Sequence, residues 1–213
     1  SRHEAPFGRV ADELRGHNSD IVYGDGNKSF FYFDNDENKY RYIGLSSFGY
    51  YLDGAYESGF TSEQLAWFNS TALNVPAGWS IVVFIHTLYS IDAKSDKIGA
   101  GYPRGSVDII KAIDGYDADG DLCCVLMGHT HRDRIHIGSS GVPYIISASD
   151  RYSSYHGDIN VDRIRGTISE QHFEVVVIDK GRREIKLFSI GAPARDGYDD
   201  DPGKEVDVRI VKY

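Results

Sequence analysis

The sequence predicts an α/β protein whose core is a mixed sheet, or two sheets with helices outside. Three observations lead there. The first half of the chain runs helix, strand, loop, helix, strand, and its strands are short, apolar and β-branched. The second half is a succession of hairpin patterns, which implies antiparallel pairing and argues against a purely parallel barrel. Finally, 213 residues with 41% hydrophobic and 13% aromatic content are enough for one large domain with a real core.

Residues 7–15 have weak helical character and stop at Gly16. Tyr23-Gly24-Asp25-Gly26-Asn27 is a turn leading into a hairpin. Its strands are Ser29-Phe30-Phe31-Tyr32-Phe33 and Tyr40-Arg41-Tyr42-Ile43-Gly44-Leu45, joined by the turn cluster Asp34-Asn35-Asp36-Glu37-Asn38. Thr61 and Gln64 form a capping box that opens a helix over residues 63–69, with Leu65, Trp67, Phe68 and Leu73 as an apolar face for packing on a sheet. Pro76-Ala77-Gly78 leads into the buried strand Trp79-Ser80-Ile81-Val82-Val83-Phe84-Ile85. A second helix spans residues 106–113 and closes at Gly115, before the apolar run Leu122-Cys123-Cys124-Val125-Leu126-Met127. Residues 135–138 and 142–146 pair around Ser139-Ser140-Gly141. Residues 173–178 and 184–190 pair around Asp179-Lys180-Gly181, and residues 206–211 make a last strand. Residues 197–203 form an exposed loop.

Chemistry gathers at the ends of the two central strands. Gly128-His129-Thr130-His131 follows the run ending at Met127, and His86 closes the run ending at Ile85. Neutral imidazole is the commonest protein metal ligand. In open α/β sheets, ligands bind beyond the carboxyl ends of the strands. Three histidines there point to a transition-metal site. Residues 149–157 carry polar and aromatic groups that either reach a substrate above it or form a surface loop. His17 and His136 are assigned core or surface roles, and His172, which precedes a strand, a structural one.

Other classes fall away. A balance of 23 basic against 32 acidic residues, net −9, disfavours broad binding to nucleic acid or anionic membranes. No apolar run approaches the ~20 residues that span a bilayer. Cys123 and Cys124 are adjacent and are the only cysteines, which excludes a good disulfide and favours a reducing, cytoplasmic setting. The acidic clusters at 34–38 and 117–121 lack the EF-hand pattern. Asn27 separates Gly26 from Lys28-Ser29, so no Gly-Lys-Ser/Thr P-loop forms there, and no Gly-x-Ser-x-Gly elbow exists.

Taken with His86 and the helix carrying Gln64, Leu65 and Trp67, the Gly128-His129-Thr130-His131 box resembles that of the calcineurin-like metallophosphoesterases, over about residues 1–190. The resemblance implies a four-layer sandwich of two mixed sheets flanked by helices. It also implies two divalent metals, manganese, zinc or iron, that activate water to hydrolyse a phosphomonoester or phosphodiester. His86 and His129 would ligate one metal and His131 the other. The family's Gly-Asn-His-Asp/Glu box is matched only by Ser1-Arg2-His3-Glu4, where His3 corresponds to the histidine that protonates the leaving group.

Arg2 stands where the family has a metal-binding Asn, and the upstream Asp-x-His and Gly-Asp-x-x-Asp boxes are absent. The expectation is therefore a single metallophosphoesterase-like domain over residues 1–213, N-terminally truncated and lacking its first strands. It is a hydrolase when full length, with one metal or none in this chain. Its partner is a phosphoester small molecule or phosphoprotein, and homo-oligomerisation would cover the open sheet edge. The competing expectation is an inactive phosphoesterase-fold scaffold or binding module.

Overall fold

A computed structural model describes residues 20–26, 29–47, 50–52, 55–57, 59–88, 90–91, 98–99, 103–129, 133–147, 164–167, 170–191 and 206–213. The expected helix at 7–15 and the loops at 149–157 and 197–203 lie outside them. Contacts cluster into two compact units, Ser1–Leu122 and Cys123–Tyr213. The fold class is α/β, as expected, with parallel and antiparallel strand pairs, although the sheet of the last three strands is wholly antiparallel rather than mixed. No helix among the described residues is long and apolar enough to cross a membrane.

In the first unit, β1 (Val22–Tyr23), β2 (Phe31–Asn35) and β3 (Tyr40–Leu45) are antiparallel neighbours. The aromatic hairpin thus forms as expected, with Asp34 and Asn35 in β2 rather than in the turn. Asp25 accepts hydrogen bonds from the backbone N–H of Ser29 at 2.9 Å and from its hydroxyl at 2.7 Å, closing the turn that leads into it. Two short ribbons follow β3: β4 (Tyr50–Leu52) with β5 (Ala55–Glu57), and β7 (Ser90–Ile91) with β8 (Ile98–Gly99). Neither was expected from the hydrophobic pattern. Between them runs β6 (Ser80–Ile85), parallel to β3 and buried except at Phe84.

Helix α1 (Ser62–Trp67) starts where the cap signal places it. Thr61 accepts the Gln64 N–H at 3.1 Å, but the Gln64 side chain does not close the box. It is buried instead against Ser46, accepting that residue's N–H at 2.8 Å and donating to its carbonyl at 2.9 Å. The amide thus continues the pairing of β3 beyond its end. Trp67 lies against Phe30 and Tyr32, with ring centroids 4.9 and 6.2 Å away, and so seats α1 on the sheet.

The chain then widens into a π-helical turn, Phe68–Ala72, where a plain helix was expected. Arg41 on β3 accounts for it. This buried guanidinium grips both carboxylate oxygens of its cross-strand partner Asp34 at 2.7 Å. It also donates to the carbonyls of Thr71, Ala72 and Asn74 at 3.1, 3.2 and 2.9 Å. Carbonyls at a helix end otherwise lack donors. Helix α2 (Ser106–Asp114) buries Ile109 and Ile113 and closes at Gly115, as expected.

In the second unit, β9 (Asp121–Met127), most of which lies there, pairs parallel with β11 (Pro143–Ile146), which is antiparallel to β10 (Arg134–Ile137). Pro143 opens its strand, a place where the missing N–H is tolerated. A separate antiparallel sheet runs β12 (His172–Asp179), β13 (Glu184–Gly191), β14 (Val206–Lys212). In the β12–β13 turn the Asp179 carboxylate accepts hydrogen bonds from the Arg182 guanidinium at 2.9 Å and, secondarily, from its backbone N–H at 3.0 Å, and these hold the carboxyl below its usual pKa.

Gly191, opposite His172 in this sheet, has φ +96°, and a Cβ there would run into the carbonyl oxygen of Gln171. Gly191→Ala therefore combines a left-handed backbone with a backbone clash. It is expected to cost about 3 kcal/mol or more, read as a lowered urea midpoint with an unchanged slope. An unchanged midpoint would contradict this register.

Candidate metal centre

Two of the expected histidines lie among the described residues, each just past a strand end. β6 ends at Ile85, and His86 follows at an exposed position. β9 buries Cys123, Cys124 and Val125 completely and releases the chain at Met127, whose carbonyl still accepts the Ser147 N–H at 3.0 Å. His129, two residues on, is half-buried with φ +73°. A left-handed non-glycine residue costs about 1–3 kcal/mol and persists only where its surroundings enforce it. Such residues cluster at functional sites. His86 belongs to the first unit and His129 to the second. His3 and His131 lie outside the described residues.

A second group was not foreseen. Asp133, His172 and Glu174 bring one ligand atom each within 4.8 Å of one another. His172 was expected to be structural. It opens β12, is buried, and shares a face with Glu174. The signal was faintly present, because residues 172 and 174 have the same strand parity as Val176 and Ile178. Yet the other parity, Phe173, Val175 and Val177, is the more apolar, and those are the exposed residues. A reader of hydrophobicity alone buries the wrong face.

One imidazole and two carboxylates suit a divalent cation. Here both carboxylates are already paired with Arg209 of β14. It pairs with Asp133 at 2.6 Å and also with Glu174, whose carboxylate accepts the Ser189 hydroxyl at 3.0 Å. The Asp133 and Glu174 side chains are 0% and 4% exposed, so the pairing takes place out of water. A metal would need ligand atoms about 3.5 Å apart, from bonds near 2.0–2.2 Å. It would also have to expel the guanidinium and leave that charge unpaired. The arrangement as it stands works as an ionic clamp.

Cys123 and Cys124 are fully buried free thiols. Burial, and secondarily the neighbouring Cys123, pushes the Cys124 thiol far above its usual range. Since the thiolate is the reactive species, both cysteines are expected to resist Ellman's reagent in the folded protein and to react fully in guanidinium chloride. Fast native labelling would contradict a buried β9.

No protein-family model matches the sequence, and no curated protein matches it. Similar structures have been solved. A dimetal phosphatase from Danio rerio aligns with TM-score 0.50 at 12% identity, covering 86% of this chain and 61% of that protein. A Vps29 mutant from Entamoeba histolytica aligns with TM-score 0.31 at 11% identity, covering 81% and 98%. A phosphatase from Mycoplasma pneumoniae gives TM-score 0.33 at 10% identity, covering 86% and 57%. Of these three, only the zebrafish enzyme reaches 0.50, and at its identity the likeness shows a shared fold alone. The chain spans 61% of that protein's length.

Proposed function

We propose that the chain is a metal-dependent phosphoesterase, or the part of one that carries the second half of its metal site. The observation that carries this reading is His129, held left-handed at the carboxyl end of β9 within Gly128-His129-Thr130-His131. The fold shared with a dimetal phosphatase supports it.

The donors fit a transition metal in kind: neutral imidazoles of His86, His129 and His131, placed after buried strands. A bound manganese, zinc or iron ion would supply Lewis acidity and a water of lowered pKa. The protein's own share is to fix the imidazoles, to orient a phosphomonoester or phosphodiester for in-line attack, and to protonate the departing oxygen from His3. A small phosphoester or a phosphoprotein is the substrate class, and the buried thiol pair suits a cytoplasmic setting.

A second reading has its own support. Arg2 offers no lone pair to a cation, and the carboxylate boxes that hold a second metal are absent, as in an inactive scaffold. The full chain, stripped with chelator and reloaded with manganese, zinc or iron, decides between them with p-nitrophenyl phosphate and bis(p-nitrophenyl) phosphate. Metal-dependent hydrolysis of either ester is expected. A metal-loaded protein that cleaves neither establishes the scaffold instead.

A further inference from the structure

We propose that the outer face of the β12–β13–β14 sheet is a docking surface for an amphipathic helix of another protein, one whose apolar stripe is flanked by carboxylates.

Register builds this face. β12 and β13 pair Phe173 with Ile190, Val175 with Phe188 and Val177 with Lys186. β13 and β14 pair Phe188 with Val208 and Lys186 with Ile210. The strand period of two puts all of these on one side of the sheet. The other side buries Ile185, Leu187 and Val211. An antiparallel sheet with one face in the core ordinarily turns polar residues outward. Here Phe173, Val175, Val177, Val208 and Ile210 are 43–59% exposed, and they are half of the large hydrophobic side chains exposed among the described residues. A contiguous apolar patch of this kind marks an interaction site.

The dimensions suit a helix. Three strands about 4.8 Å apart make a strip about 10 Å wide, close to the diameter of a helix. Alternate residues on a strand lie about 7 Å apart, so three apolar rows run about 14 Å, between two and three helical turns.

Charge selects the occupant. The face ends, at the β12–β13 turn, in a row of Asp179, Glu184 and Lys212. Arg182 and Lys212 already hold the two carboxylates at 2.9 and 2.6 Å and keep both carboxyls below their usual range. Five basic residues, Lys180, Arg182, Arg183, Lys186 and Lys212, stand against those two, so this end of the sheet has a side-chain charge of +3 in a chain of net −9. Lys186 lies in register between Val177 and Ile210. Whatever covers those rows must meet its ammonium or bury it unpaired, which is costly. A second copy of this face brings only Asp179 and Glu184, both already paired. An anionic bilayer faces the whole molecule, whose net charge opposes it. A helix with Asp or Glu beside its apolar stripe meets only the strip and supplies new carboxylates.

The test is selection, on the full chain, from a displayed library of helices about 14 residues long. Leucines are fixed at i, i+3, i+4 and i+7, and the flanking positions are randomised. Asp and Glu are expected to be enriched at the flanks. Synthetic peptides of the selected sequences, followed by fluorescence anisotropy, are expected to bind I210D and K186E about tenfold more weakly than the unaltered protein. V175S replaces either variant whose melting curve shows it unfolded. No enrichment, enrichment of Lys and Arg, or affinity unchanged in both variants overturns the proposal. Sedimentation that finds a dimer dissolved by I210D gives the face to a second copy, which also overturns it. So does co-sedimentation with phosphatidylserine–phosphatidylcholine vesicles that is lost in I210D, since the face then belongs to a bilayer.

Discussion

His129→Asn is expected to abolish metal-dependent hydrolysis, with turnover falling by more than about a hundredfold. The estimate follows from magnitudes. Removing groups that merely support a ligand costs about 10–100-fold, so removing a ligand itself costs more. Asn is the informative replacement because its short polar side chain tolerates the left-handed region that His129 occupies at φ +73°. Its melting temperature is therefore expected to stay near that of the unaltered protein, whereas His129→Ala also pays for the backbone. Turnover of p-nitrophenyl phosphate at saturating metal, read beside the melting curve, separates the two effects. Undiminished turnover in His129→Asn would remove His129 from the site.

Arg41→Met is expected to lower stability by about 3 kcal/mol, or roughly 10 °C in melting temperature. Arg41 is 7% exposed and satisfies five acceptor atoms: two on Asp34, and the carbonyls of Thr71, Ala72 and Asn74. Its guanidinium also lies 3.9 Å from the Tyr32 ring centroid. Methionine fills much of the volume but leaves all five acceptors without this donor, and desolvated acceptors are what make such losses large. Asp34 keeps 28% exposure and can recover water, which holds the cost at the low end for a buried pair. Arg41→Lys should recover only part, because one ammonium cannot serve a carboxylate fork and three carbonyls together. A Met variant melting within about 2 °C of the unaltered protein, less than 1 kcal/mol at this chain length, would show the turn holds without the latch.

Elements whose stability is local were legible in the sequence. The β2–β3 hairpin, the Thr61 cap, the close of α2 at Gly115 and the β12–β13 hairpin all follow from turn and cap chemistry within a few residues. What was missed depends on residues far apart in sequence. The π-helical turn is explained by an arginine on β3, and Gln64 left its capping box for a backbone partner beyond that strand. The clamp joins Asp133, Glu174 and Arg209, three residues with no shared motif, on a sheet whose buried face is the less apolar one. His86 and His129 stood out because strand ends are readable from hydrophobic runs alone.

The most direct test of the metal site is X-ray absorption at the zinc or manganese edge of the loaded full chain. The expected spectrum shows imidazole scattering with no sulfur shell, since Cys123 and Cys124 are sealed in β9. The imidazole contribution should fall in His129→Asn and persist in His172→Ala. A spectrum unchanged by His129→Asn, or a protein that retains no metal after loading, would contradict the metal site proposed at the end of β9.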